Sequence, residues 1–217
     1  MRVRIKICCI ASAAEAKIVI DHGADAIGLV GKMPSGPGPI EDDAIAAIAR
    51  MAHPPISTFL LTSEQSVTGI IGHAKRTNTN TLQIVDELLF GTYAEIKSAL
   101  PYINIVQVIH VTGKESIEKA KQVQHFVDAI LLDSGNPKAT IKILGGTGNT
   151  HNWDISKQLV KEINLPVFLA GGLDATNVKR AIEIVQPFGV DVCSGVRTDG
   201  KLDPKKVNAF VKAVHSV

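Results

Sequence analysis

The residues best suited to chemistry in this 217-residue chain are few and widely separated. Near the start, MRVRIKICCI places Lys6 two residues before Cys8, with Cys9 adjoining. An ammonium beside a thiol stabilises the thiolate and lowers its pKa. A thiolate serves as nucleophile or as general base. Nothing nearby forms the Cys, His and Asn pattern of a thiol protease, which favours the base. Asp133 closes the apolar run Ala129-Ile130-Leu131-Leu132. A carboxyl group in an apolar barrel mouth is kept protonated by desolvation and can act as an acid. A base and an acid of different proton affinity across one cavity are the layout of an isomerase.

Bringing residues 8 and 133 together falls to short β-branched runs that alternate with helical patterns. Ser12 and Glu15 make a capping box, which predicts a helix to about residue 22 with Gly23 as its stop. Strands are expected at 26–30, 56–61, 82–84, 104–109, 129–132, 166–170 and 189–193. Helices are expected at 42–51, from 63, after a second capping box at Thr92 and Glu95, at 115–124 and 153–162, from Asn177 and from Pro204. Strands alternating with helices pair in parallel. Eight such units over residues 1–217 predict a single-domain (β/α)8 TIM barrel rather than a doubly wound sheet. Segments 31–39 and 135–152 resist regular assignment. Both follow strands, so both belong to the C-terminal face, where barrel active sites form.

Neighbouring side chains of a strand face opposite ways. With Ile5 and Ile7 outward beneath helices, Lys6 and Cys8 point into the barrel, and Cys9 faces out as a small packed hydrophobe. By the same parity Gln83, Asp133, Asp191 and Cys193 point inward. Gly171-Gly172 follows the seventh strand and Ser194-Gly195 the eighth, the places where barrels of this class hold a phosphate on backbone N–H groups. Glycine lets the backbone approach the anion closely. Gly145-Gly146-Thr147-Gly148 reads as a flap over the substrate.

Composition removes several classes. A net charge of +2 gives no electrostatic case for nucleic acid or a membrane surface, and 4% aromatic residues leave few platforms for base stacking. Three cysteines without a CxxC pattern suit a reducing compartment, and a cytoplasmic location is expected. Seven histidines show neither HxH nor HExxH spacing, so no metal site is expected. The apolar run at 7–11 falls short of the roughly 7–15 residues of a signal peptide.

The pieces KICCI, GADAIGLV, LLDS, GGTG, NWD, FLAGGLDATNV and QPFGVDVCSGVRTDGKLD, in this order over nearly the whole chain, resemble the phosphoribosylanthranilate isomerase family. The resemblance implies an Amadori rearrangement of an N-linked phosphoribosylamine in tryptophan biosynthesis, with a small phosphorylated substrate and no cofactor. It implies that Cys8 takes the C2′ proton and that Asp133 protonates the ribose ring oxygen as the ring opens. Gly171, Gly172, Ser194 and Gly195 would hold the phosphate, and Lys6, Lys32, Gln83 and Asp191 would meet the rest of the substrate. The chain also departs from the family. The family's second loop carries a Ser-x-Arg-Tyr-like segment whose arginine meets the anthranilate carboxylate. Here the loop reads KMPSGPGPI, and Lys32 lacks an arginine's bidentate fork. The glycine of KICG is Cys9, QLHG is Gln83-Ile84-Val85-Asp86, and FDW is His151-Asn152-Trp153. Arg76 and Arg197 are the other candidates for the substrate's acidic group. Two alternatives stand beside the leading reading: an isomerase of another phosphorylated aminosugar, and a non-catalytic barrel that binds a phosphate ligand. Sequence pattern does not separate outer-helix residues from interface residues, so a monomer and a homodimer both fit.

Overall fold

The computed structural model describes residues 2–135 and 150–217. Among these, eight parallel strands close into a barrel in chain order: β1 (Arg4–Ile7), β2 (Ala26–Val30), β3 (Ser57–Thr62), β4 (Thr81–Ile84), β5 (Asn104–His110), β6 (Ala129–Asp133), β7 (Val167–Leu169) and β8 (Gly189–Val192). Helices follow them in turn: α1 (Ala13–Asp21), α2 (Asp42–Met51), α3 (Val67–Thr77), α4 (Tyr93–Ala99), α5 (Glu115–Val123), α6 (Trp153–Glu162), α7 (Val178–Val185) and α8 (Pro204–His215). The last crossover also holds a 3-10 turn at Ser194–Val196 and a small hairpin, β9 (Arg197–Thr198) with β10 (Lys201–Leu202). No helix of the described residues is long and apolar enough to cross a membrane.

Local chemistry sets the helix ends. The Thr92–Glu95 capping box forms with both reciprocal bonds. At α1 the Ser12 hydroxyl accepts from the Glu15 N–H, but the Glu15 carboxylate accepts from Ala11 N instead of Ser12 N. That carboxylate is also held by Arg197. Helix α3 begins later than the expected residue 63, because Ser66 is the side chain that caps it, accepting from Gly69 N.

Alternation along the strands splits the core into two layers. Ile5, Ile7, Leu82, Ile84, Leu132, Val190 and Val192 pack outward in the shell between strands and helices. Val30, Phe59, Val106, Leu131 and Phe168 fill the barrel, together with Cys8. The register pairs Lys6 with Asp191 and His110 with Asp133. The polar inward residues of β1, β6 and β8 thus converge at the C-terminal mouth.

Candidate active site

A cavity opens at that mouth. Its lining includes Cys8, Gln83, Asp133, Gly171, Gly172, Asp191 and Ser194. Lys6 lies beneath it, wholly buried, with Nζ donating to Asp191 Oδ2 at 2.9 Å and standing 5.2 Å from the centre of the Phe59 ring. Burial alone would lower the Lys6 pKa. The Asp191 carboxylate outweighs this, helped by the neighbouring cysteines, and holds the ammonium firmly charged. Asp191 thereby keeps one oxygen on Lys6, while its Oδ1 and the Gln83 Oε1 are buried without a hydrogen-bond partner among the described residues. Buried polar atoms are normally paired, so these two oxygens are acceptors that suit a polyhydroxyl ligand.

Burial raises the pKa of Asp133, against the backbone N–H of Ser134, which donates to Oδ1 at 2.7 Å, and against nearby His110. The fold therefore favours the protonated form of this carboxyl group. Room for Cys8 comes from Gly28, on the inner face of β2. A Cβ there would stand 2.8 Å from Cys8 Sγ and 3.1 Å from Lys6 Nζ, so both side chains sit over a bare backbone. On the far wall Gly171 and Gly172 adopt φ of 83° and 62°, which glycine reaches without strain.

The model of the N-(5'phosphoribosyl)anthranilate (PRA) isomerase family matches residues 5–213. The chain belongs to the phosphoribosylanthranilate isomerase family. N-(5'-phosphoribosyl)anthranilate isomerase 2 of Methanosarcina mazei is 36% identical over 96% of this chain and 92% of its own length. The phosphoribosyl anthranilate isomerase structure from Thermotoga maritima superposes with a TM-score of 0.83 at 27% identity, covering 99% of this chain and all of that one. A phosphoribosyl anthranilate isomerase solved in complex with reduced 1-(o-carboxyphenylamino)-1-deoxyribulose 5-phosphate gives 0.80 at 25% identity, with 99% of this chain and all of that one covered.

Several expectations need correction within this family frame. Cys9 does not face out. Strand β1 ends at Ile7; Cys8, whose N–H still donates to Val192 O, keeps the inward direction, and alternation breaks at Cys9. Cys9 takes φ 61°, turns back into the mouth and lines the cavity with Cys8. That left-handed conformation accounts for a glycine at this position of the family motif. Lys6 is a support beneath Asp191 and not part of the lining. Lys32 is exposed and outside the cavity; its loop contributes Met33, Ser35, Gly36 and Pro37 instead. Gly195 is not on this lining but, with Gly172 and Ser194, lines a second pocket, and it packs so closely on the neighbouring loop that a Cβ would meet Leu173 O at 2.0 Å. Arg76 donates to Asp42 on the outer surface, and Arg197 is held by Glu15 and by the carbonyl oxygen of Cys9. The flap expected at 145–148 lies outside the described residues.

Parity from Ile109 would also have found His110, which projects toward Asp133, its Nε2 bonded to Val85 O at 3.0 Å. His151, bonded through Nε2 to Ser156 Oγ at 2.7 Å, backs onto Gly171. Burial lowers its pKa to about 4, so this imidazole is neutral. In the sequence it stood out only as the residue at the phenylalanine position of the family's FDW motif.

Proposed function

We propose that the chain converts N-(5'-phosphoribosyl)anthranilate to 1-(o-carboxyphenylamino)-1-deoxyribulose 5-phosphate. The observation that carries this reading is one cavity lined by Cys8 and Asp133, with glycine-rich strand ends on its wall, in a chain of this family. Substrate and product contain the same atoms, so the reaction needs an acid and a base and no redox partner. Neutral Asp133 donates its proton to the ribose ring oxygen as the C1–O bond breaks, and the amine lone pair forms a C1=N iminium. The iminium acidifies the C2 proton, which Cys8 removes as a thiolate. The resulting enolamine takes a proton at C1 and releases its C2 hydroxyl proton as the C2=O bond forms, so the proton count of substrate, Cys8 and Asp133 returns to its starting value. Asp191 Oδ1 and Gln83 Oε1 accept from the sugar hydroxyls, while Gly171, Gly172 and Ser194 offer backbone N–H groups to the phosphate.

The test is turnover of phosphoribosylanthranilate generated in situ, followed by loss of its fluorescence, with Cys8→Ala and Asp133→Asn alongside. Robust wild-type activity that both variants lose supports the roles. A folded wild-type protein without turnover overturns the substrate. It would favour the second reading, an isomerase of another phosphoribosylamine, which the Met33, Ser35 and Pro37 wall without an arginine motivates. Unchanged ligand affinity in Cys8→Ser, with no activity to lose, would mark a binding barrel.

A further inference from the structure

We propose that Cys9 and Cys193 form a reversible oxidative modification site at the mouth, closing to a disulfide under a peroxide and reopening under a dithiol. The two thiols come from the ends of β1 and β8, and their sulfurs lie 2.6 Å apart. Both are free, and both line the cavity that also holds Cys8. Among the described residues no three His, Cys, Asp or Glu side chains come together as a metal site, so sulfur–sulfur chemistry is what the pair is placed for.

The two sulfurs differ in a way that assigns roles. Cys193 is partly exposed, whereas Cys9 is 6% exposed. Their mutual hydrogen bond lowers the pKa of Cys193, with Arg197 and Lys6 adding positive potential, and the same bond raises that of Cys9. The thiolate is the nucleophile toward a peroxide. Cys193 therefore attacks the peroxide oxygen, the O–O bond breaks, and one water leaves as a sulfenic acid forms. The Cys9 sulfur then attacks that sulfenic sulfur and expels a second water. Two thiols lose two hydrogens and two electrons to one hydrogen peroxide, giving one S–S bond and two waters.

The consequence follows from position. Cys193 directly precedes Ser194 on the proposed phosphate wall, and Cys9 directly follows the proposed base. A covalent tie fixes these two chain segments to each other across the mouth, and turnover is expected to fall at least tenfold. That effect on turnover rests on the isomerase reading; the cross-link does not.

The full chain is treated with hydrogen peroxide, and intact mass, non-reducing peptide mapping and activity are read before and after dithiothreitol. The expected result is loss of two hydrogens, a Cys9–Cys193 peptide, and turnover lost and then restored. Cys193→Ser and Cys9→Gly, each compared with its own untreated activity, should resist the loss. A cross-link mapped to Cys8, an oxidised Cys8 without any cross-link, or a cross-linked enzyme with full turnover would overturn the proposal. If the untreated enzyme has no isomerase activity, the mass and the peptide map still decide the cross-link.

Discussion

Gly28→Ala tests whether the bare inner face of β2 is what seats the proposed base. The new Cβ would stand 2.8 Å from Cys8 Sγ and 3.1 Å from both Cys8 Cα and Lys6 Nζ. Ordinary contact begins at 3.4 Å, so the sulfur must retreat by about 0.6 Å or the strands must part. Neither neighbour yields easily, because Lys6 is fully buried in an ion pair and Cys8 is 5% exposed. Overpacking of this kind costs about 1–3 kcal/mol. At about 2–4 °C per kcal/mol in a chain of this size, Tm should fall by about 2–12 °C. A reacting group displaced by about 1 Å costs roughly a hundredfold, so kcat should fall by about ten- to a hundredfold. Thermal unfolding and steady-state kinetics measure both. Gly72→Ala on α3 is the control, since its nearest neighbour is Nη1 at the far end of the exposed Arg76 side chain, at 3.3 Å. There a gain of about 0.5–1 kcal/mol and unchanged turnover are expected. A Gly28→Ala protein with wild-type kcat would refute the idea that this gap positions the base.

Other perturbations read other parts of the site. Asp191→Asn leaves Lys6 buried without a carboxylate and should cost about 3–5 kcal/mol in urea denaturation, most of it recovered by adding Lys6→Met. Between the ordinary carboxyl value of 3.8 and its raised value, Asp133 keeps in the fold a proton that the unfolded chain has lost. Stability therefore falls as pH rises through that window, and the slope should vanish in Asp133→Asn. His151 behaves in the opposite sense. Between about 4 and 6.5 the unfolded chain holds a proton that the folded chain lacks. Acidification across that range should remove about 2–3 kcal/mol, and His151→Phe should abolish the loss. Lys32 is exposed, and no ion pair involves it among the described residues. If it steadies the substrate's carboxylate from the rim, Lys32→Ala raises KM by no more than about fivefold and spares kcat; a large fall in kcat would contradict its place outside the cavity.

Much of this was legible in the sequence because a strand's side chains alternate without exception while the strand lasts. Gln83 between Leu82 and Ile84, Asp191 between Val190 and Val192, and Asp133 after Leu132 all face inward as the apolar flanks demand. The same rule failed at Cys9, two residues beyond the end of β1, where a φ of 61° leaves the extended conformation on which alternation depends. It also says nothing about depth. Lys6 and Cys8 share a face, yet only the one nearer the mouth reaches the cavity. Loop residues such as Lys32 and Gly195 have no period at all, so their distance from the cavity depends on how neighbouring loops pack.

The departures from the family motif at Cys9 and in the second loop are connected in space. A Cβ at Gly38 would lie 2.7 Å from the Cβ of Cys9, and Cys9 Sγ stands 3.6 Å from Pro37 O. A side chain at position 9 is thus accommodated by a loop that offers bare backbone opposite it. Gly38 itself sits at φ 87°, so no L side chain fits there without strain. The loop that carries no arginine is therefore also the loop shaped around the extra thiol. Restoring a glycine at position 9 without rebuilding the loop would leave a void beside Gly38. Grafting a bulkier, arginine-bearing loop onto the present chain would collide with Cys9. Recovery of an arginine-type carboxylate contact is expected only when both are changed together, which a double-mutant cycle on KM for phosphoribosylanthranilate would reveal as coupling between the two sites.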